Sequence, residues 1–349
     1  MTATLPEITL DSLFVSDGEA LRLVQGWRVT RDGRTMDPKA QLVGELVKRL
    51  RPLDQLPTPE ESRQQFRKMV ELMDNPGPGV AAVEDLTCPG PAGTLRLRLW
   101  RPKPKGDTPL PLLFFIHGGG WIQGDLDTHA NVCAKLAAWS GSLVLAVDYR
   151  LAPADPFPAA VEDCLAVWRW LAGETETLGA DPARLCVGGD SAGGNLAAVL
   201  AQSVTSLGLP LPAAQLLIYP SLELGWDLAS HRSHTDAYVL PKIRLDWYSR
   251  LYLPNPTLFT DPRVSPLRTP DLAGQPPTMI VIAGFDPLRD DGLIYAGRLA
   301  AAGVTVHLRE WPGQLHAFVC LTKVIPQGDL ALQECADWLT ATLGTSTHG

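Results

Sequence analysis

Cysteine is sparse and dispersed in this chain: Cys88, Cys133, Cys164, Cys186, Cys320 and Cys335 are its six thiols among 349 residues, and no two form a CxxC pair. That dispersal, in a chain this large, reads as reduced core residues rather than a disulfide set or a metal site. Positive charge is in deficit as well. The formal net charge is −8, and no run of lysine or arginine makes a local patch. Nucleic acid and anionic membranes both reward a basic face, so neither is expected as the main partner. No apolar run approaches the roughly 20 residues of a membrane span. The opening stretch MTATLPEITLDSLFV lacks the basic n-region and continuous apolar h-region of a secretory signal. These absences predict a soluble, cytoplasmic, globular protein, long enough for one large domain or two ordinary ones.

The periodicities that are present divide the chain. The stretch TPEESRQQFRKMVELM has Thr58 before Pro59 and Glu61 where a capping box needs it. Phe66, Met69, Val70 and Met73 then fall on one helical face. PKAQLVGELVKRL reads as a second amphipathic helix, and the Pro/Gly-rich MDNPGPGV marks a boundary after both. Beyond it, TLRLRLW alternates as a half-buried strand does. Apolar runs at 112–116, 142–147, 184–188, 214–218 and 278–283 read as buried strands, mostly separated by helical patterns. Strands buried on both faces and alternating with helices predict an α/β fold with a mostly parallel central sheet flanked by helices. Residues 225–266 carry Trp226, Tyr238, Trp247, Tyr248 and Tyr252 among several prolines, too long a stretch for a loop; an insertion with helices of its own is expected. The predicted division is an N-terminal helical cap region over 1–85 and a catalytic domain over 86–349 with a cap insertion at about 225–266, the two cap parts together expected to form a lid over the site.

Within that frame GGDSAGGN places Ser191 between a strand and a helix, as Gly189-x-Ser191-x-Gly193. This is the pattern of a nucleophile elbow, a turn so tight that the serine takes a strained backbone and its hydroxyl stands exposed above the sheet. A phosphate loop would need Gly-Lys-Ser/Thr and a dinucleotide turn GxGxxG, and neither pattern is present. In FFIHGGGW a buried strand runs into consecutive glycines, whose amides can approach a developing oxyanion without obstruction. Gly118, Gly119 and Ala192 are the expected donors, with His117 bracing the loop. The chain order serine, acid, histidine points next to Asp286, at the end of the strand TMIVIA, and then to His316, on a loop beyond the strand that contains His307. Asp290 and Asp291 are rival acids, expected to face solvent from the following helix. His231 and His234 form an HxxH pair without a third ligand nearby, expected on the cap surface.

The blocks HGGGW, GDLDTH, DYRLAPADPFPAA, GGDSAGGN, LIYP, DPLRDDG and HAF stand in the order seen in the bacterial hormone-sensitive-lipase-like carboxylesterases (family IV), an α/β-hydrolase group, which the chain resembles from about residue 90 onward. The resemblance implies a serine carboxylesterase with Ser191 as nucleophile, Asp286 as acid, His316 as base and Gly118, Gly119 and Ala192 as oxyanion hole. It implies a small-molecule ester substrate of short to medium acyl chain, no metal or organic cofactor, and a homodimer. Asp190 would brace neighbouring loops. Ala317 departs from the glycine usual after the histidine. An amidase, deacetylase or arylformamidase uses the same triad, and a non-catalytic ligand receptor on this fold would be expected to have lost part of it.

Overall fold

The computed structural model describes residues 8–51, 56–103 and 108–344. Its centre is an eight-stranded sheet: β1 (Ala82–Gly90), β2 (Gly93–Arg101), β3 (Leu110–Ile116), β4 (Leu143–Asp148), β5 (Ala180–Asp190), β6 (Ala214–Ile218), β7 (Thr278–Phe285) and β8 (Val306–Leu315). The spatial order is β8-β7-β6-β5-β3-β4-β2-β1. The pairs from β8 through to β4 are parallel, and β2 is antiparallel to both of its neighbours. Each predicted strand is present. The first strand, Ala82–Gly90, lies outside the sequence expectation, and the expected boundary between 85 and 86 falls inside it.

Period-two alternation explains why the strand sequences look continuously apolar. Leu112, Phe114 and Ile116 enter one core cluster, and Leu113 and Phe115 the other. The same split recurs in β4 and β7, so the sheet is buried on both sides. Phe114 and Phe115 are both 0% exposed, and burying each ring contributes about 1.5–3 kcal/mol. The first face is covered by α5 (Ala159–Leu178), α6 (Ala192–Ser203) and α9 (Arg289–Ala301). The second is covered by α1 (Asp17–Val24), α2 (Pro38–Leu50), α3 (Pro59–Met73), α4 (Ala130–Ser140) and α10 (Gln327–Leu343). All six cysteines are buried and unpaired. Among the described residues no helix is long and apolar enough to cross a membrane.

The N-terminal helices form as their signals require. Thr58 and Glu61 close a capping box at α3, with Pro59 at its first position, and Phe66, Met69, Val70 and Met73 are buried. This helix is tied down beside the glycine-rich loop: Arg63 Nε donates to the Ile122 carbonyl at 2.8 Å and Nη2 to that of Ala152 at 3.2 Å. Its C-terminal end is held by a buried ion pair between Lys135 and Asp74 at 3.0 Å. The 225–266 segment does contain helices, α7 (Ala229–Ser233) and α8 (Lys242–Tyr252). It meets the N-terminal region directly, through Arg31 paired with Asp236 at 2.8 Å and Tyr238 hydrogen-bonded to Glu45.

Candidate active site

β5 ends at Asp190 and α6 begins at Ala192, leaving Ser191 alone in the turn. Its backbone sits at φ 54°, ψ −117°, a region that non-glycine residues rarely occupy. The predicted elbow is therefore formed, and the flanking glycines explain how. A Cβ on Gly193 would lie 1.9 Å from the Ile116 carbonyl oxygen and 2.6 Å from that of His117. Both obstacles are backbone and cannot swing aside. Gly193→Ala should accordingly destabilise the fold by at least the upper end of the about 1–3 kcal/mol typical of overpacking. A denaturant titration with an unchanged midpoint would show that the packing here is looser than these distances require.

The side chains predicted from chain order converge on the turn. His316 Nε2 lies 2.9 Å from Ser191 Oγ, and His316 Nδ1 lies 2.7 Å from Asp286 Oδ2. The other carboxylate oxygen of Asp286 accepts the Leu288 amide at 2.9 Å. Asp286 is fully buried, while Ser191 and His316 retain 9% and 7% exposure at the floor of a cleft. The residue after the histidine, Ala317, adopts φ 66°. A left-handed backbone favours glycine at that position, and this chain holds alanine there against that preference.

The loop after β3 corrects one sequence expectation. The Gly118 amide donates to Asp190 Oδ1 at 2.8 Å, so it is engaged and does not face the serine. Gly119, at φ 121°, and Gly120, at φ 62°, line the cleft with Ala192, and among the described residues the Gly119 and Gly120 amides have no acceptor. The amide of Ala192, at the first position of α6, is one of the unsatisfied donors of a helix start. Gly119, Gly120 and Ala192 therefore border the cleft beside Ser191, while the Gly118 amide is spent on Asp190. The acidic residue before the nucleophile was the available sequence signal, since a buried carboxylate must find amide partners.

Asp190 and His117 act as the bracing pair that the sequence suggests. Burial acts to raise the Asp190 carboxyl, but His129, 3.2 Å away, and the Gly118 amide overcome it and hold Asp190 below the usual carboxylate range. His117 is stacked on Tyr149 at 4.2 Å, whose hydroxyl donates to the His117 carbonyl at 2.9 Å. Burial, reinforced by His129, pushes His117 down to about 4, so it is neutral near pH 7. His129, Asp190 and Cys320 bring potential metal-ligand atoms within 4.8 Å of one another. Asp190 is already engaged by Gly118, and burial raises the Cys320 thiol well above its usual value, away from the thiolate a metal requires. The trio reads as a brace behind the elbow.

Four residues expected at the surface are buried. His231 and His234 are 2% and 1% exposed, and Asp290 and Asp291 are 9% and 0% exposed. Asp291 accepts the Leu222 and Glu223 amides at 2.7 and 2.9 Å and pairs with His231 Nε2 at 2.6 Å. Asp290 accepts the Ser230 amide at 2.8 Å and Arg289 Nε at 3.0 Å. Burial drives the Asp291 carboxyl upward, with His231 opposing it. These rivals of Asp286 thus fasten the insertion to the start of α9, and His316 bonds to Asp286 alone of the three.

The cleft opens above Ser191 and His316. Its lining joins both regions expected to cover the sheet: Phe66 and Met69 come from α3, and Trp226, Leu240, Leu245 and Tyr248 from the insertion. The sequence marks Phe66, Met69, Trp226 and Tyr248 only as members of the regions expected to roof the site, and gives no sign of Leu240 or Leu245.

This sheet, with its elbow after β5, defines an α/β-hydrolase, and a family model described as the alpha/beta hydrolase fold matches residues 113–320. Relatives narrow the class. The chain is 42% identical over 312 residues to carboxylic ester hydrolase LipN of Mycobacterium tuberculosis, covering 86% of this chain and 82% of that one. It is 38% identical over 277 residues to an ethyl acetate hydrolase of Pseudomonas putida, covering 78% and 87% respectively. Among solved structures, an ester hydrolase from the metagenome of Lake Arreo superposes with a TM-score of 0.85 at 40% identity, covering 89% of this chain and 100% of that one. The hyperthermophilic esterase of the archaeon Pyrobaculum calidifontis gives 0.79 at 35% identity, over 86% and 97%. The chain belongs to the hormone-sensitive-lipase-like carboxylesterases of the α/β-hydrolase fold.

Proposed function

We propose that the protein hydrolyses short- to medium-chain carboxylic esters through an acyl-enzyme on Ser191. The observation that carries this reading is the unbroken hydrogen-bonded line Asp286–His316–Ser191 opening into the cleft. His316, oriented by Asp286, takes the hydroxyl proton as Ser191 Oγ attacks the ester carbonyl. The carbonyl oxygen becomes an oxyanion facing the amides of Gly119, Gly120 and Ala192, with the N-terminus of α6 favouring its charge. The tetrahedral intermediate collapses as His316 returns the proton to the leaving alcohol. Water then attacks the acyl-enzyme, His316 again accepting the proton, and Ser191 is released. Protein groups supply each of these steps.

We assign the cap role to the N-terminal helices together with the 225–266 segment, because both contribute walls to the cleft. Each methylene of a lengthening acyl chain gains about 0.8 kcal/mol of burial until it meets such a wall, after which overpacking costs about 1–3 kcal/mol. With p-nitrophenyl esters, kcat/KM is expected to rise from acetate to roughly butanoate or hexanoate and then fall. An anilide of the preferred acyl group should be cleaved far more slowly, which separates an esterase from an amidase on the same triad. Preference for palmitate over butanoate, measured below the aggregation limit, would overturn the cap assignment.

A further inference from the structure

One wall of the cleft has no part in ester hydrolysis itself. Arg51, the residue after α2, lines the cleft beside Trp226, Leu245 and Tyr248, and also lines a smaller adjoining cleft with Lys48 and Arg244. A guanidinium drawn out of water is ordinarily matched by a carboxylate, because its desolvation is otherwise uncompensated. Among the described residues Arg51 has no carboxylate partner, and its guanidinium contact is Nη2 with the Met69 sulfur at 3.9 Å. Arg244 is buried with its guanidinium 5.7 Å from the Trp247 ring centroid, and it too has no carboxylate partner among the described residues. Asp236, the carboxylate on the smaller cleft, is held by Arg31 at 2.8 and 3.2 Å. Burial draws Arg51 below the ordinary guanidinium value, Tyr248 opposes that, and the charge of Arg244 adds to it. An arginine so placed stays cationic at physiological pH.

We propose that Arg51, with Arg244 behind it, recognises a carboxylate on the substrate, so that the favoured esters carry a negative charge several bonds from the scissile carbonyl, as monoalkyl esters of dicarboxylic acids do. The inference rests on the esterase reading above and deepens it. Guanidinium and carboxylate match through two parallel N–H···O bonds, and a partly water-excluded cleft strengthens that match. The apolar side chains sharing the cleft, Trp226, Leu245 and Tyr248, suit the methylenes that link the two ends of such a molecule. A neutral ester of equal length would fill the same space and leave the guanidinium unmatched.

Monoethyl adipate and its neutral primary amide, compared by pH-stat hydrolysis, test this. The wild-type protein should favour the carboxylate. Arg51→Met should reduce the carboxylate-to-amide ratio of kcat/KM at least about tenfold, chiefly through KM, and Arg51→Lys should keep part of the preference. A ratio unmoved by Arg51→Met in a folded protein overturns the inference; if p-nitrophenyl butanoate is still cleaved, the esterase reading stands without it. Should Arg51→Met fail to fold, Arg51→Gln serves the same comparison. Calorimetric binding of monoethyl adipate to the Ser191→Ala protein reads the recognition without turnover. An added Arg51→Met that leaves that affinity unchanged sinks the inference independently of any hydrolysis.

Discussion

Ser191→Ala is expected to reduce kcat about a millionfold while leaving the protein folded, because the hydroxyl is the atom that becomes bonded to the acyl group. The geometry around it sets this expectation. Among the described residues Oγ has one near neighbour able to take its proton, His316 Nε2 at 2.9 Å, and the turn is shaped by flanking glycines rather than by the serine side chain. Alanine there removes the nucleophile and relaxes nothing that packs. Residual hydrolysis, about 10³–10⁴-fold over water, should survive through the oxyanion donors and binding alone. Steady-state assays on material freed of wild-type contamination would reject the assignment if more than about a tenth of kcat remained.

Asp286→Asn carries the next largest expected loss, about 10⁴-fold in kcat. Asp286 Oδ1 already accepts the Leu288 amide and Oδ2 faces His316 Nδ1 at 2.7 Å. An amide nitrogen turned toward Nδ1 presents a donor where the imidazole needs an acceptor. The imidazole would then carry its proton on Nε2, facing Ser191, and could not receive another from the hydroxyl. Because Asn has nearly the same size, the fold should hold, so melting temperature and kcat should separate cleanly. The parallel change Asp291→Asn distinguishes the two acids: it removes charge from the bond to His231 and from the Leu222 and Glu223 amides. It should lower stability more than it lowers kcat. Equal kcat losses for Asp286→Asn and Asp291→Asn would remove the reason for choosing between them.

The local chemistry of the site was legible because it is written in short segments. Gly189-x-Ser191-x-Gly193 between a strand and a helix can be read as an elbow without knowing what lies across from it. His316 was separable from His307 since one follows a strand and the other stands inside it, paired with Met279. The strands of the parallel sheet were legible from apolar runs, and α3 from its cap and its four-residue apolar face. β1 escaped notice because its alternating burial leaves most positions partly or fully exposed, so its sequence lacks an apolar run.

What the sequence by itself determined, then, is the succession of buried strands and helices from Gly93 onward, the strained turn at Ser191 and the setting of Asp286 and His316 just past strand ends, because each of these is written in a short segment. Tertiary structure alone decided which polar groups are buried. Asp291 resembles a surface residue of an ordinary helix, and becomes a buried anchor only when Leu222, Glu223 and His231 arrive from 60 to 69 residues away. Gly118 resembles an oxyanion donor until Asp190, 72 positions later, takes its amide. Arg51, just past the end of an amphipathic helix, becomes part of a cleft wall only when the insertion places Tyr248 and Arg244 on the clefts it borders. The reason is common to all three: a polar group's role is set by the partner that replaces water around it, and in this fold those partners come from distant strands and from the insertion.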